Sequence, residues 1–457
     1  MAGIGFELRR ILAEESFSSL LRAYGYAGLI SSGPWVLSII GVMVVGLMSL
    51  GSVYPELLIN QFLVSVTYLM AGSLIFTGGL QLLFTRFVAD RLFEKRDAVI
   101  LPNLLGAATV TTWSAGLLGL GTVLSLFADT SVVYRVLLLA GFVALCNLWL
   151  VVIFLTGMKR YRQILLAFAV GYGATVALAL GLRPYGLEGL LAGFVTGQLV
   201  LLGVLFVLVV REYPGQRLVA FDFLDRHQVF VSLAFTGLFF NAGIWADKFI
   251  FWMNPVTSDA VIGPLRASVI YDLPIFMAYL AIIPGMAVFL VRIETDFAEH
   301  YDQFYDAVRS GDTLSRIFFL KDQMVFSVRQ GVYEILKVQG ATVVIVALSA
   351  EHLLRAIGIS TLYLPLFIVD LVGVSIQVLV MALLNVLFYL DERRVALALT
   401  AILLIGNVAL TLLSQWLGPV FYGYGFTLAM AITALIGIAW LGRRMDRLEY
   451  ETFMLQG

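Results

Sequence analysis

The sequence predicts an all-α polytopic membrane protein, with about 12 transmembrane helices in two six-helix lobes and a cytoplasmic helical insertion between the eighth and ninth. Three observations carry this. Only 13% of the 457 residues are charged and 61% are hydrophobic, against about 25% charged in a soluble domain. The mean hydropathy is +0.96, so lipid is the solvent for most of the chain. The apolar runs reach about 20 residues without the period-two alternation of barrel strands, which leaves the helix as the spanning structure.

The predicted spans cover 23–50, 59–85, 99–127, 132–156, 164–182, 187–210, 229–252, 267–293, 338–357, 361–390, 395–416 and 421–441. The ninth is the most polar, with Glu351, His352 and Arg355 in its last turns. The opening "MAGIGFELRRILAEESF" mixes acids and bases and lacks an apolar core before a small-residue cleavage site, so it does not read as a cleavable signal. The organisation expected is a cytoplasmic N-terminal segment 1–22, an N-terminal lobe 23–210, a cytoplasmic linker 211–228, a C-terminal lobe 229–441 containing the insertion 294–337, and a cytoplasmic tail 442–457.

Charge fixes the expected orientation. Of the 29 lysines and arginines, 24 fall on the segments that lie inside if the N-terminus is inside; Arg135, Arg183, Arg266 and Arg355 fall outside, and Lys248 lies within a span. Both termini are therefore expected in the cytoplasm.

An internal repeat is expected. "GLISSGPW" at 28–35 and "GLFFNAGIW" at 237–245 share Gly-Leu, a short spacer, Gly, one residue and Trp, differing by one residue in the spacer. The first and seventh spans then become equivalents, and six helices per half make the repeat parallel.

The halves differ in charge. In 1–210, Glu56, Asp90, Asp129 and Glu188 sit at helix ends or in loops, whereas Asp247, Lys248, Asp272 and Asp370 lie inside predicted spans of the second half. A charge at the centre of a membrane helix costs about 2.5–3.5 kcal/mol on insertion scales. Asn241, Asp247, Lys248, Asp272 and Asp370 are accordingly the candidate transport-pathway residues, each weighed against a structural role. Lys248 either snorkels to the outer interface or pairs with Asp272 on the next span at similar depth. Neighbours on a helix diverge by about 100°, so Asp247 and Lys248 are expected to need separate partners. Asp272 precedes Pro274 and has the alternative of bonding backbone at a kink there. Asp370 lies about nine residues into its span, near mid-membrane. Asn147, Gln198, Asn385 and Asn407 read as interhelical glue. Gly33 and Pro34 are hinge candidates in the first span, with a simple packing kink as the alternative.

In the insertion, Phe297, Tyr301, Phe304, Tyr305 and Val308 mark one helical face, "SGD" at 310–312 breaks it, and a second helical stretch follows. This hairpin is either packed on its own membrane domain or a docking platform for a cytoplasmic partner, with Phe297, Tyr301, Phe304 and Tyr305 as the contact candidates.

No phosphate-binding G-x-x-x-x-G-K-[ST], H-E-x-x-H or G-x-S-x-G occurs, so a transporter is favoured over an enzyme and no cofactor is expected. His227, His300 and His352 show no metal-ligand spacing, Cys146 is alone, and the net charge of -1 argues against nucleic acid.

The stretches "MAGIGFELRRIL" and "YGYAGLISSGPWVLSIIG" resemble the PelG family, the inner-membrane component of bacterial Pel exopolysaccharide export. The resemblance runs the whole length, insertion included. It implies the twelve-helix fold of the multidrug/oligosaccharidyl-lipid/polysaccharide exporter superfamily, with the first and seventh helices lining a central cavity. It also implies a partly cationic amino-sugar polymer as substrate, and association with other Pel membrane proteins and a cytoplasmic glycosyltransferase. Two further readings stand beside export: a cation-coupled small-molecule antiporter, against which the first span counts by holding no acid, and a membrane scaffold that recruits the glycosyltransferase.

Overall fold

The computed structural model describes residues 18, 22, 24–28, 33–156, 161–213, 215, 217–225, 229–356 and 358–454. Helix makes up most of every predicted span over these residues: α1 (Gly33–Ser49), α2 (Leu57–Phe93), α3 (Ile100–Leu126), α4 (Val132–Val152), α5 (Tyr161–Leu182), α6 (Gly186–Glu212), α7 (Val231–Met253), α8 (Val269–Leu280), α9 (Ile283–Val291), α10 (Ala298–Ser310), α11 (Leu314–Ala356), α12 (Leu364–Tyr389), α13 (Arg393–Leu417) and α14 (Tyr424–Met454). Among the described residues, 8 helices are long and apolar enough to cross a membrane, or 9 if the bent pair of α8 with the helix after it is one span.

The chain divides into two compact units, residues 34–269 and residues 1–33 with 270–457. The sequence places the division at the linker 211–228, but the described part of that segment is pinned to the first unit. Asn103 on α3 donates from Nδ2 to Asp222 and accepts at Oδ1 from the backbone N–H of Phe223. Phe223 itself is fully buried, edge-on to Phe84. The chain instead passes between units at Gly33–Pro34 and Val269–Ile270, so α7 belongs with the helices that precede it.

In the unit 34–269, small residues let backbones close up as membrane helices do when lipid gives no hydrophobic drive between them. A Cβ on Gly193 would stand 2.3 Å from the Cα of Ala179, and one on Gly197 would stand 2.3 Å from the Cα of Thr175. These pairings run α5 and α6 antiparallel. The reversal between them uses Gly186, whose φ of +67° suits glycine. On α2 and α7, Gly78 faces Gly237, whose Cβ would come 2.1 Å from the Gly78 carbonyl oxygen.

This unit also holds a hairpin that the all-helical expectation missed. Strands β1 (Asp259–Ile262) and β2 (Leu265–Ala267) pair antiparallel across Gly263 and Pro264. Gln61 donates to the Val261 carbonyl, Tyr68 donates to that of Arg266, and the Arg266 guanidinium bonds Ser258, so the hairpin is stitched to α2 and to the end of α7.

In the other unit, α8 and the helix after it meet at a 40° bend. The sequence expects a kink at Pro274, but Pro274 lies inside α8 and the break comes at 281–282, ahead of Pro284. Pro284 has no N–H for a bond four residues back, which explains the position. The N–H of Gly285 is left over by the break and is taken by Gln339 Oε1 at 3.0 Å, while Gln339 Nε2 donates to Ser375 on α12. In the segment 294–337 a π-helical turn (Arg292–Phe297) leads into α10, and Gly311 closes that helix with φ +68° and ψ +37°. The segment's second stretch and the ninth predicted span are one unbroken helix, α11, of 43 residues, about 64 Å long. The helices α13 and α14 pack antiparallel, with Gly425 against Thr411 and Gly406 against Ala429.

Candidate functional site

On α7, Asp247 and Lys248 are both fully buried. The Lys248 ammonium donates to the Asp247 carboxylate at 3.0 Å and to the Ile244 carbonyl at 2.9 Å. This corrects two expectations. The neighbours do pair: their Cβ vectors diverge, but the long lysine stem curls back one turn and brings Nζ to the adjacent carboxylate. Nor does Lys248 snorkel, since none of it reaches the surface. Around the pair stand Trp245 and Trp252, 5% and 1% exposed, with the Trp245 ring 5.9 Å from Nζ. Tyr68 from α2 stacks on Trp252 at 4.4 Å, and Phe249 meets Trp252 edge-on. Low dielectric strengthens an ion pair held this way but also makes each charge costly to leave alone.

Asn241, earlier on the same helix, donates to the Gly237 carbonyl, and a Cβ on Gly78 would lie 2.7 Å from its Nδ2. It sits at the α2–α7 close approach rather than with the charged pair. Asp272 occupies the first turn of α8, where a carboxylate suits the helix dipole. It belongs to the unit 270–457 and Lys248 to the unit 34–269.

Asp370 is fully buried on α12. Gly423, at φ +83°, lets the chain pass close: a Cβ there would stand 2.8 Å from Asp370 Oδ1. Two turns on, Gln377 is 3% exposed, and Asn407 on α13 accepts from Thr411 at 2.9 Å. The interior of this unit thus holds buried polar side chains on both α12 and α13.

A third cluster is not singled out by the sequence. Glu294, on the π-helical turn, accepts from Asn385 Nδ2 at 2.6 Å and from the Tyr389 hydroxyl at 3.3 Å, both on α12. Beside it Arg292 bridges Glu334 on α11 at 2.6 Å and Asp296 at 2.7 Å. The extra residue of a π turn re-aims side chains, and such turns gather at functional sites. In the sequence the only signal is an acid at the edge of a predicted span; its partner Asn385 reads there as glue to another helix.

Of the four docking candidates three pack inward, and Tyr305 lies against Tyr301 and Phe304. Phe297 and Phe304 are fully buried, and Phe297 and Tyr301 pack their rings on Tyr389. The face they mark is therefore the inner face of the hairpin, because its apolar spacing records packing on α12 and not an outer surface. Gly33 and Pro34 open the described helix α1 and coincide with one crossing between units; the residues just before them, 29–32, lie outside the described residues, as does part of the repeat segment 28–35. Among the described residues no group of three or more His, Cys, Asp or Glu is placed to hold a metal ion.

Comparison with solved structures places the fold. The chain is similar to the outward-facing conformation of a multidrug resistance MATE family transporter of the MOP superfamily, with TM-score 0.60 at 16% identity over 91% of this chain and 94% of that one. It is similar to a MATE structure in a bent conformation, with TM-score 0.62 at 14% identity over 98% and 99%. It is also similar to a MOP superfamily transporter from Pyrococcus furiosus, described as having a binding pocket of reverse polarity, with TM-score 0.61 at 13% identity over 93% and 96%. No curated protein matches. These likenesses show the fold, that of a multi-pass membrane transporter. The family model described as "PelG: Putative exopolysaccharide Exporter (EPS-E)" matches residues 1–453, and with the apolar helices and the transporter fold already in place, the chain belongs to the PelG family.

Proposed function

We propose that this chain exports an exopolysaccharide, a Pel-type amino-sugar polymer, across the bacterial inner membrane. The single observation that carries the reading is the exporter-family match over 1–453. In this reading twelve spans form two lobes, both termini and the segment 294–337 lie in the cytoplasm, and alternating access moves the chain of sugars outward. Gly33 and Pro34 serve as a hinge, which the crossing between units at that bond supports.

The acids of the second unit suit the proposed cargo. A partly cationic polymer is favoured by carboxylates along its path, and the buried Asp370 with the half-buried Glu294 and Asp272 supply them in one unit. Other Pel membrane proteins and a cytoplasmic glycosyltransferase are the proposed partners.

The test is the whereabouts of polymer in cells lacking the chain. Export predicts that polymer accumulates inside the cells and that synthase activity in isolated membranes persists. Synthase activity lost together with the polymer would instead support the scaffold reading.

A further inference from the structure

The first half of α11 has two opposed faces. Ile317, Met324, Val328 and Ile335 are buried, 5% exposed or less, where the helix packs on the rest of its unit. On the other side Phe319, Phe326 and Tyr333 are 60%, 62% and 65% exposed. They recur every seven residues and so form one stripe about 21 Å long. Phe318 and Leu336 widen it, at 39% and 48% exposed. Asp322 and Arg329 stand in the same stripe, both exposed, and neither is drawn into an ion pair with the described residues. Arg316, Lys321, Asp322, Arg329, Glu334 and Lys337 all fall between Leu314 and the start of the predicted span at 338. That charge density keeps this half out of the hydrocarbon. Because α11 is unbroken through Ala356, it carries the stripe away from the bilayer, with Phe326 about 18 Å short of the span. On that placement Phe319 and Phe326 stand clear of the hydrocarbon, and Tyr333 and Leu336 stand nearest the interface.

A second copy fits poorly. Two copies inserted the same way round and related by an axis along the membrane normal bring their α11 helices together in parallel. Asp322 would then meet Asp322 and Arg329 would meet Arg329, and like charges in register oppose association.

We infer that this stripe is the docking site for a helix of a different protein on the cytoplasmic side. Its occupant is an amphipathic helix with apolar residues at heptad spacing, seated between Phe319, Phe326 and Tyr333, that sets a base against Asp322 and an acid against Arg329. This face replaces the inner face Phe297–Phe304 as the one a partner can reach, and it rests on the exporter reading for the side of the membrane alone.

The test uses the full chain in its native cells, with a photo-crosslinking amino acid in place of Phe326 and, as control, in place of the exposed Asp306 on α10. The expected result is an adduct from position 326 alone that contains a peptide of a second protein. Exchanging the charges, Asp322→Lys with Arg329→Glu, should cut its yield at least tenfold, and the reverse exchange in the crosslinked peptide should restore it. Adducts of two copies only, adducts with lipid only, no adduct, or a yield unmoved by the exchange would each overturn the inference. Polymer secretion measured in the same cells separates the two claims, since a yield that responds to charge stands whether or not export depends on it.

Discussion

Two charged sites in this chain, one fully buried and one half-buried, are built on opposite plans. On α7, Asp247 and Lys248 meet in place, each the other's counter-charge, behind Trp245 and Trp252. On the π-helical turn, Glu294 is held by an amide and a phenol, Asn385 and Tyr389, both of them neutral. At the first site the two opposite charges meet within one turn of one helix. The second joins two distant parts of the chain through a carboxyl group, with the Arg292–Glu334 pair alongside. A pair of the first kind suits a fixed wall, and a carboxyl of the second kind suits a group that takes part when helices move.

Mutations can break this contrast. The largest effect is expected from Lys248→Met alone, which leaves Asp247 buried without its cation. Breaking a buried pair this way costs about 3–5 kcal/mol, read as loss of folded protein in detergent melting. The double change Asp247→Leu with Lys248→Met should recover most of it, and a double variant as unstable as the single would show that the pair does not act as a closed unit. Asn385→Ala comes next, since it strips a half-buried carboxyl group of its closer donor at a cost of about 1–3 kcal/mol. Here adding Glu294→Gln should not rescue as fully as the double change does on α7, because the amide introduced at position 294 still lacks its partner. A comparable loss of about 1–3 kcal/mol is expected for Gly285→Ala, whose new methyl would lie 2.6 Å from Gln339 Cγ and would push the cap off the helix break. Tyr389→Phe should be the mildest, about 1 kcal/mol, because its bond to Glu294 is the longer one at 3.3 Å. Should it exceed Asn385→Ala in thermal melts, the phenol and not the amide holds the carboxyl.

Much of the fold is legible in the sequence because hydropathy and helical spacing are local. The apolar segments, the insertion hairpin and its break at Gly311 all follow from residues within a few turns of one another. The charged residues of α7 announce themselves by type. Their pairing does not, because a spacing rule describes where Cβ atoms point and says nothing of how far a lysine stem can fold back. The spacing from Phe297 to Phe304 marks a true face but the inner one, since periodicity picks out a side of a helix without saying what covers it. Gln339 and Asn103 look unexceptional in sequence; their value comes from a helix break and a loop that tertiary packing brings to them. The hairpin 259–267 is too short for its alternation to register, though Gly263-Pro264 between apolar residues is a turn signal. The division at Gly33–Pro34 and Val269–Ile270 is a property of contacts far apart in the chain, which composition does not encode.

Passage of polymer through the membrane is the claim on which the rest depends. Inverted inner-membrane vesicles keep the native membrane proteins and present the cytoplasmic face to the medium. Labelled polymer made on that face should enter the lumen and resist added glycosidase, and vesicles from cells lacking this chain should make as much polymer with none of it protected. Equal protection in both vesicles, at equal synthesis, would contradict export by this protein.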